Sequence, residues 1–314
     1  MDNYKLKIGF IALKENYFLL KYLFFSWKLF PIFIAILLLS GTAFSEQKEV
    51  PFKARWFPEK VRQGDIFVVN VLMPNDAHSL TGNFQNKDLS FYKIKNDELF
   101  QTLIGIDMET EPGIYKLAIM AKSNSGKTLK GIYNIKINKK DFGEQRISLP
   151  KEMVELDQDT LKQIDEENKK LKEIWAIERN DKIWYGKFIK PLNGEIISSF
   201  GVRRILNGLP KSPHTGVDLR AGIGEEIRSS NTGIVIFVSE MFFCGKSVIV
   251  DHGRGLYTMY FHLSKIDVKE GQRVKKGEIL GLVGSSGRST GPHLHWGVRL
   301  HDARVDPISL LKLR

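Results

Sequence analysis

Ser289-Thr290-Gly291-Pro292-His293-Leu294-His295-Trp296 is the stretch on which the reading of this chain turns. Small and turn-forming residues up to Pro292 give way to a run that predicts a strand over Leu294–Arg299. Residues two apart on a strand share a face, so the imidazoles of His293 and His295 can enter one cleft. Upstream, Gly233–Val238, Ser247–Asp251, Leu256–Leu263 and Ile279–Val283 read as further short strands. Val268-Lys269-Glu270-Gly271-Gln272 and Val274-Lys275-Lys276-Gly277-Glu278 supply the turns between them. No long helical pattern intervenes from Phe188 onward, which predicts an antiparallel all-β domain over residues 183–314.

Five of the chain's seven histidines fall between His214 and His295. His214-Thr215-Gly216-Val217-Asp218 places an imidazole and a carboxylate four apart, and Tyr260-Phe261-His262-Leu263 closes an apolar strand on a histidine. A lone histidine is more often a hydrogen-bonded core or surface residue than a ligand. His-x-x-x-Asp and His-x-His together in one small domain reverse that weighting. Two imidazoles and one carboxylate fill three positions of a zinc tetrahedron and leave the fourth for water. Spacing alone does not say which three of the four histidines and Asp218 bind metal. His252, in Asp251-His252-Gly253, reads as structural, and His78 and His301 have no supporting context. Cys244 lies in the apolar run Met241-Phe242-Phe243-Cys244 and reads as a buried, inert thiol; as the single cysteine it excludes an internal disulfide.

Further pieces complete a pattern: Ser198-Ser199-Phe200-Gly201-Val202-Arg203, Asp251-His252-Gly253-Arg254-Gly255 and Gly284-Ser285-Ser286-Gly287. Taken in order with the two His motifs and Tyr260–Leu263, they make the stretch from Pro191 to Asp306 resemble the M23 (LytM or lysostaphin-like) metallopeptidase domain over nearly its full length. The resemblance implies the family's duplicated β hybrid fold and one Zn2+ per catalytic domain. It makes His214, Asp218 and His295 the metal ligands and puts His262 and His293 beside them as the catalytic pair. It implies metal-assisted hydrolysis of peptide cross-links in bacterial peptidoglycan, with a D,D-endopeptidase the preferred form. Two departures stand out. Cys244-Gly245-Lys246 replaces the usual Tyr-Gly-Asn, and Trp296 stands where Phe is common. The glycine turns also resemble lipoyl or biotinyl carrier domains, but no modifiable lysine with its flanking signature is present. A non-catalytic regulator of other wall hydrolases is the alternative from a different class, and the complete ligand set argues against it. A secreted peptidase acting on protein is a third.

From Leu156 to Glu178 the chain predicts an amphipathic helix, capped by Thr160 with Gln163, inside a linker spanning residues 143–182. Residues 46–142 alternate in short strands, such as Ile66–Val71, and predict a β-sandwich accessory domain. Ala121-Lys122-Ser123-Asn124-Ser125-Gly126-Lys127-Thr128 loosely fits a phosphate-binding loop, but the strand-like run after it predicts a hairpin turn instead.

The first 45 residues pair a lysine-rich lead with the apolar run Leu29–Leu39 and the small residues Ser40, Gly41, Thr42, Ala43 and Ser45. This is the pattern of a secretory signal peptide or an uncleaved signal anchor. It predicts a chain acting in the cell envelope, periplasmic or secreted, and held at the inner membrane through residues 29–39 if cleavage does not occur. The formal charge is +11; losing five lysines and two acids with residues 1–45 leaves +8. That charge suits an anionic surface such as cell wall or membrane. Peptidoglycan is the expected partner and nucleic acid is not, while oligomeric state has no sequence signal. An apolar fraction of 42% with 26% charged residues excludes bulk disorder.

Overall fold

The computed structural model describes residues 53–73, 77–95, 99–148, 156–177, 179–210 and 212–313. The signal or anchor reading of residues 1–45 lies outside them. Among the described residues no helix is long and apolar enough to cross a membrane.

The N-terminal half contributes β1 (Ala54–Phe57), β2 (Val61–Arg62), β3 (Ile66–Leu72), β4 (Ala77–Phe84) and β5 (Lys87–Ser90). It continues with β6 (Tyr92–Lys95), β7 (Leu99–Gly105), β8 (Gly113–Ser123) and β9 (Thr128–Asn138). Two sheets form, in the orders β1-β3-β7-β6 and β2-β9-β8-β4-β5, and face each other as the expected sandwich. In β8, Leu117, Ile119 and Ala121 point inward and alternate with outward residues, which is the pattern of a sheet with one wet face. The phosphate-loop look-alike is the tight β8–β9 hairpin, with Gly126 at φ +80°.

β3 does not alternate, and the reason is topological. Phe67, Val69 and Val71 enter the sandwich core, whereas Ile66 and Val68, with Leu103 of β7, enter the core of the C-terminal half. A strand covered on both faces reads as an unbroken apolar run. Residues 53–313 are therefore layered: outer sheet (β2-β9-β8-β4-β5), inner sheet (β1-β3-β7-β6), C-terminal domain. Polar ties reinforce the junction. Arg304 bonds both carboxylate oxygens of Asp107 (2.7 and 3.0 Å), and Lys140 pairs with Asp306 at 2.8 Å.

β10 (Glu144–Ile147) leaves the sandwich, and α1 (Gln158–Trp175) follows. The helix cap is Asp157, whose Oδ1 accepts the Thr160 N–H at 2.7 Å. The Thr160–Gln163 capping box is thus corrected: Asp157 lies three residues earlier and occupies the N-cap. Leu171, Ile174 and Trp175 pack on Phe237, Met241, Ile249, Tyr257, Met259 and Phe261 of the C-terminal sheet. The Trp175 ring meets Tyr257 edge-on at 5.3 Å.

The C-terminal half holds β11 (Ile196–Ser198), β12 (Arg203–Leu206), β13 (Leu209–Pro210), β14 (Gly216–Arg220), β15 (Glu226–Arg228) and β16 (Gly233–Met241). It goes on with β17 (Gly245–Asp251), β18 (Leu256–Ile266), β19 (Arg273–Val274), β20 (Ile279–Val283), β21 (His293–Leu300), β22 (Ala303–Val305) and the short α2 (Pro307–Leu310). Ten of these strands form one antiparallel sheet: seven follow the path β11-β14-β21-β18-β17-β16-β19, while β20 joins β18, β15 joins β20 and β22 joins β21. Strand β10 pairs in parallel with β12, which continues into β13.

Candidate functional site

Register brings the site together. In the antiparallel β14–β21 pair, Asp218 lies directly opposite His295, and Arg220 opposite His293. Directly opposed residues have Cβ atoms about 5 Å apart, so the carboxylate and the imidazole meet without help from a loop. His214 precedes β14 by two residues. Gly216 between them has no alternative: a Cβ there would lie 2.7 Å from Nε2 of His295 and 2.5 Å from the Trp296 carbonyl.

The three groups converge. His214 Nε2, Asp218 Oδ1 and His295 Nδ1 are 2.9 Å from one another along each edge of the triangle. All three residues are buried. The other ring nitrogen of His214, Nδ1, is 2.9 Å from the Ser199 carbonyl. A carbonyl only accepts, so Nδ1 carries the proton and the inward Nε2 of neutral His214 is a bare lone pair. Asp218 adds a second lone pair. Arg204 pairs with its other oxygen, Oδ2, at 3.0 Å and keeps it a carboxylate. A cation bound between these acceptors satisfies them together. Tetrahedral ligands with zinc bonds of about 2.0–2.1 Å stand about 3.3 Å apart, so slight opening of the triangle admits zinc. This trio is the one group of such side chains, among the described residues, placed to hold a metal ion.

His262 and His293 flank the triangle with their rings 4.8 Å apart. Each has its Nδ1 against a carbonyl, Ser286 at 2.8 Å and Gly291 at 2.8 Å, so each turns Nε2 to the cleft. Burial, and then the charges of His295 and His293, push His262 down to about 3. His262 sits at φ +65°, the left-handed region that ordinary side chains avoid. That conformation breaks the alternation of β18. Phe261 can therefore stack on His295 (5.4 Å, 3° between planes) while the next residue also points into the site.

The backbone of the Cys244-Gly245-Lys246 segment holds this kink. The Cys244 carbonyl accepts the His262 N–H at 2.9 Å, and Lys246 N–H donates to Ser286 Oγ at 2.9 Å. Gly245, at φ +60°, lies so close to Ser286 that a Cβ would approach its backbone to 2.3 Å. The departure in side chains here leaves the contacts intact because main-chain atoms make them. One step further out, Glu167 of α1 accepts the Phe242 N–H at 3.0 Å.

Sequence reasoning missed three residues. Arg204 of β12 bonds the outer oxygen of Asp218 at 3.0 Å, Ser286 positions His262, and Phe261 supports His295. Arg204 adjoins the motif Ser198–Arg203, and nothing in its spacing signals the contact. His78 is exposed on β4, and His301 lies in the turn after β21; neither belongs to the site.

His252 is structural in its contacts, with Nδ1 on the Thr232 carbonyl at 2.9 Å and Nε2 on Thr258 Oγ1 at 2.8 Å. Burial pushes it down to about 4. Unfolded, it titrates near 6.5, so between pH 6.5 and 4 the unfolded chain binds the extra proton. Its contribution is complete above about pH 6.5 and is lost as pH falls towards 4, amounting to about 3 kcal/mol. Urea midpoints at pH 7 and pH 5 should fall less for His252→Asn than for the wild type. Equal falls would refute the assignment.

The profile of Peptidase family M23 matches residues 212–307. Over 97 residues the chain is 42% identical to the DD-carboxypeptidase/endopeptidase Mpg of Neisseria meningitidis serogroup B, which covers 31% of this chain and 22% of that protein. Over 119 residues it is 43% identical to the peptidoglycan DD-endopeptidase ShyA of Vibrio cholerae, covering 37% of this chain and 27% of that one. The match thus spans about a quarter or less of these relatives' length. A crystal structure described as a peptidase M23 from Pseudomonas aeruginosa aligns with 31% identity and a TM-score of 0.60, over 78% of this chain and 92% of that one.

Proposed function

This chain belongs to peptidase family M23, and from that membership we propose that it is a zinc-dependent endopeptidase cutting peptide cross-links in bacterial peptidoglycan. A D,D-endopeptidase is the favoured form, in keeping with the names of the similar Mpg and ShyA proteins. The observation that carries the reading is the triangle of His214, Asp218 and His295 with edges of 2.9 Å, whose converging lone pairs call for a cation.

In this reading those three residues hold one zinc ion, two imidazoles and a carboxylate being a donor set suited to it. When bound, zinc supplies Lewis acidity, polarising a carbonyl and lowering the pKa of a water. The chain's own residues do the rest. Arg204 fixes the Asp218 carboxylate from outside through Oδ2, and Ser199 fixes the His214 tautomer. Phe261 sets the plane of His295. His262 and His293 turn Nε2 to the scissile peptide, where one takes a proton from the attacking water and the other steadies the developing oxyanion. Residues 1–45 export the chain to the envelope, by a cleaved signal or as an anchor through residues 29–39.

Mass spectrometry of purified peptidoglycan treated with zinc-loaded residues 49–314 tests the proposal. Cross-linked dimers should decline and monomers rise, with no change for His295→Ala. Release of single terminal residues alone would make the protein a carboxypeptidase, and no cleavage at all would sink the enzymatic reading.

A further inference from the structure

The outward face of the outer sheet is unlike the rest of the surface. Register and alternation put Ile114, Lys116, Ala118, Met120 and Lys122 of β8 on it, facing Lys136, Asn134, Ile132, Lys130 and Thr128 of β9. The four lysines are exposed, and so are three large apolar side chains: Ile114 at 70%, Ile132 at 49% and Met120 at 38%. Ser79, Thr81 and Asn83 of β4 extend the face. Its one carboxylate among the described strand residues is Asp88, at the edge strand β5, where Asn83 hydrogen-bonds it at 2.9 Å. Because the inner sheet is packed between this sheet and the C-terminal domain, the β8–β9 part of the face looks away from that domain, which reaches only the β5 edge, through Arg254 and Ser90.

Isolated exposed apolar residues need no explanation, but three set among four lysines on two adjacent strands form a patch. Its occupant must be anionic and must also accept aliphatic side chains. A second copy of the chain fails, since a two-fold contact would set lysines against lysines. A glycan surface would call for aromatic platforms, and this face has none. Lysines that keep their charge in the headgroup layer, around aliphatic side chains that enter it, fit a lipid surface. We propose that this face docks on an anionic phospholipid bilayer. Chain length agrees: Ala54 follows Leu39 by 15 positions, a reach of about 50 Å when extended. A chain whose apolar segment stays in the bilayer can lay the sheet on the same membrane.

Residues 49–314 form one compact unit and can be tested without the N-terminal segment. Co-sedimentation should show binding to vesicles of phosphatidylcholine with phosphatidylglycerol, at least about tenfold stronger than to phosphatidylcholine alone. Lys116→Glu with Lys130→Glu should weaken that binding about tenfold or more, and Ile114→Ser with Ile132→Ser should weaken it as well. Both variants should keep the wild-type thermal midpoint, because none of these side chains enters the core. No binding to anionic vesicles would overturn the proposal. So would full binding by the serine variant together with equal binding to soluble polyglutamate, which would make the face a docking site for an acidic protein.

Discussion

Asp218→Asn should abolish zinc retention and lower peptidoglycan hydrolysis by more than about a hundredfold. The substitution keeps the shape of the side chain and removes its charge. Losing an outer partner of a ligand costs about 10- to 100-fold in metal affinity or activity, and a direct ligand must cost more. Arg204→Met supplies the comparison, since it removes only the outer contact with Oδ2 and should fall within that milder range. The stability effect should change sign with metal. In the wild type without zinc, the His214 lone pair and the buried Asp218 carboxylate face each other at 2.9 Å. An amide at 218 can donate to Nε2 of His214 and relieve that crowding. Chelator should therefore lower the thermal midpoint of the wild type and leave that of Asp218→Asn unchanged. Zinc stoichiometry by atomic absorption and paired melting curves with and without chelator are the measurements. A variant that keeps one zinc per chain would remove Asp218 from the ligand set.

The second large effect concerns α1. Ile174→Ala with Trp175→Ala should destabilise the protein by roughly 4–6 kcal/mol, a sizeable part of ordinary domain stability. Ile174 is buried, and Trp175 packs edge-on against Tyr257 while the Arg299 guanidinium lies 4.9 Å from its ring centroid. The two positions are neighbours, so the losses will not simply add. Activity should fall before the fold does. The helix covers Phe261, which supports His295, and through Glu167 it holds the turn leading to Cys244, whose carbonyl secures His262. Urea midpoints alongside residual activity at low denaturant would show this order. Coincident loss of both would mean that the helix only stabilises. By the same reasoning, a chain beginning at residue 183 lacks one wall of a hydrophobic cluster. A rate measured on it reports that loss along with any effect of the N-terminal sheets.

Much of the architecture was legible because alternation is a local signal. The strand over Ile279–Val283 reads directly from the sequence, and the hairpin at Asn124–Lys127 follows from the strand-like residues on either side. His214, Asp218 and His295 were legible as candidates because their types are rare in such spacing, and the register of β14 against β21 supplies the meeting that spacing alone could not. What stayed hidden depends on tertiary contacts. β3 looks like any apolar strand, and only the fold reveals that its two faces serve different cores. Ser286 holds the His262 ring through its carbonyl and Cys244 holds the His262 backbone through another, atoms that every residue type carries. Arg204 is one basic residue among 47 lysines and arginines, and only the placement of β12 beside Asp218 singles it out.

The left-handed backbone of His262 sets two selective pressures against each other. A non-glycine residue held there costs on the order of 1–3 kcal/mol, and glycine would relieve most of it. A laboratory selection for heat resistance alone should therefore drift at position 262 towards glycine, or towards asparagine, which tolerates the same geometry. It would return hardier proteins that no longer cut. Only a screen scoring catalysis together with survival would keep the imidazole in place.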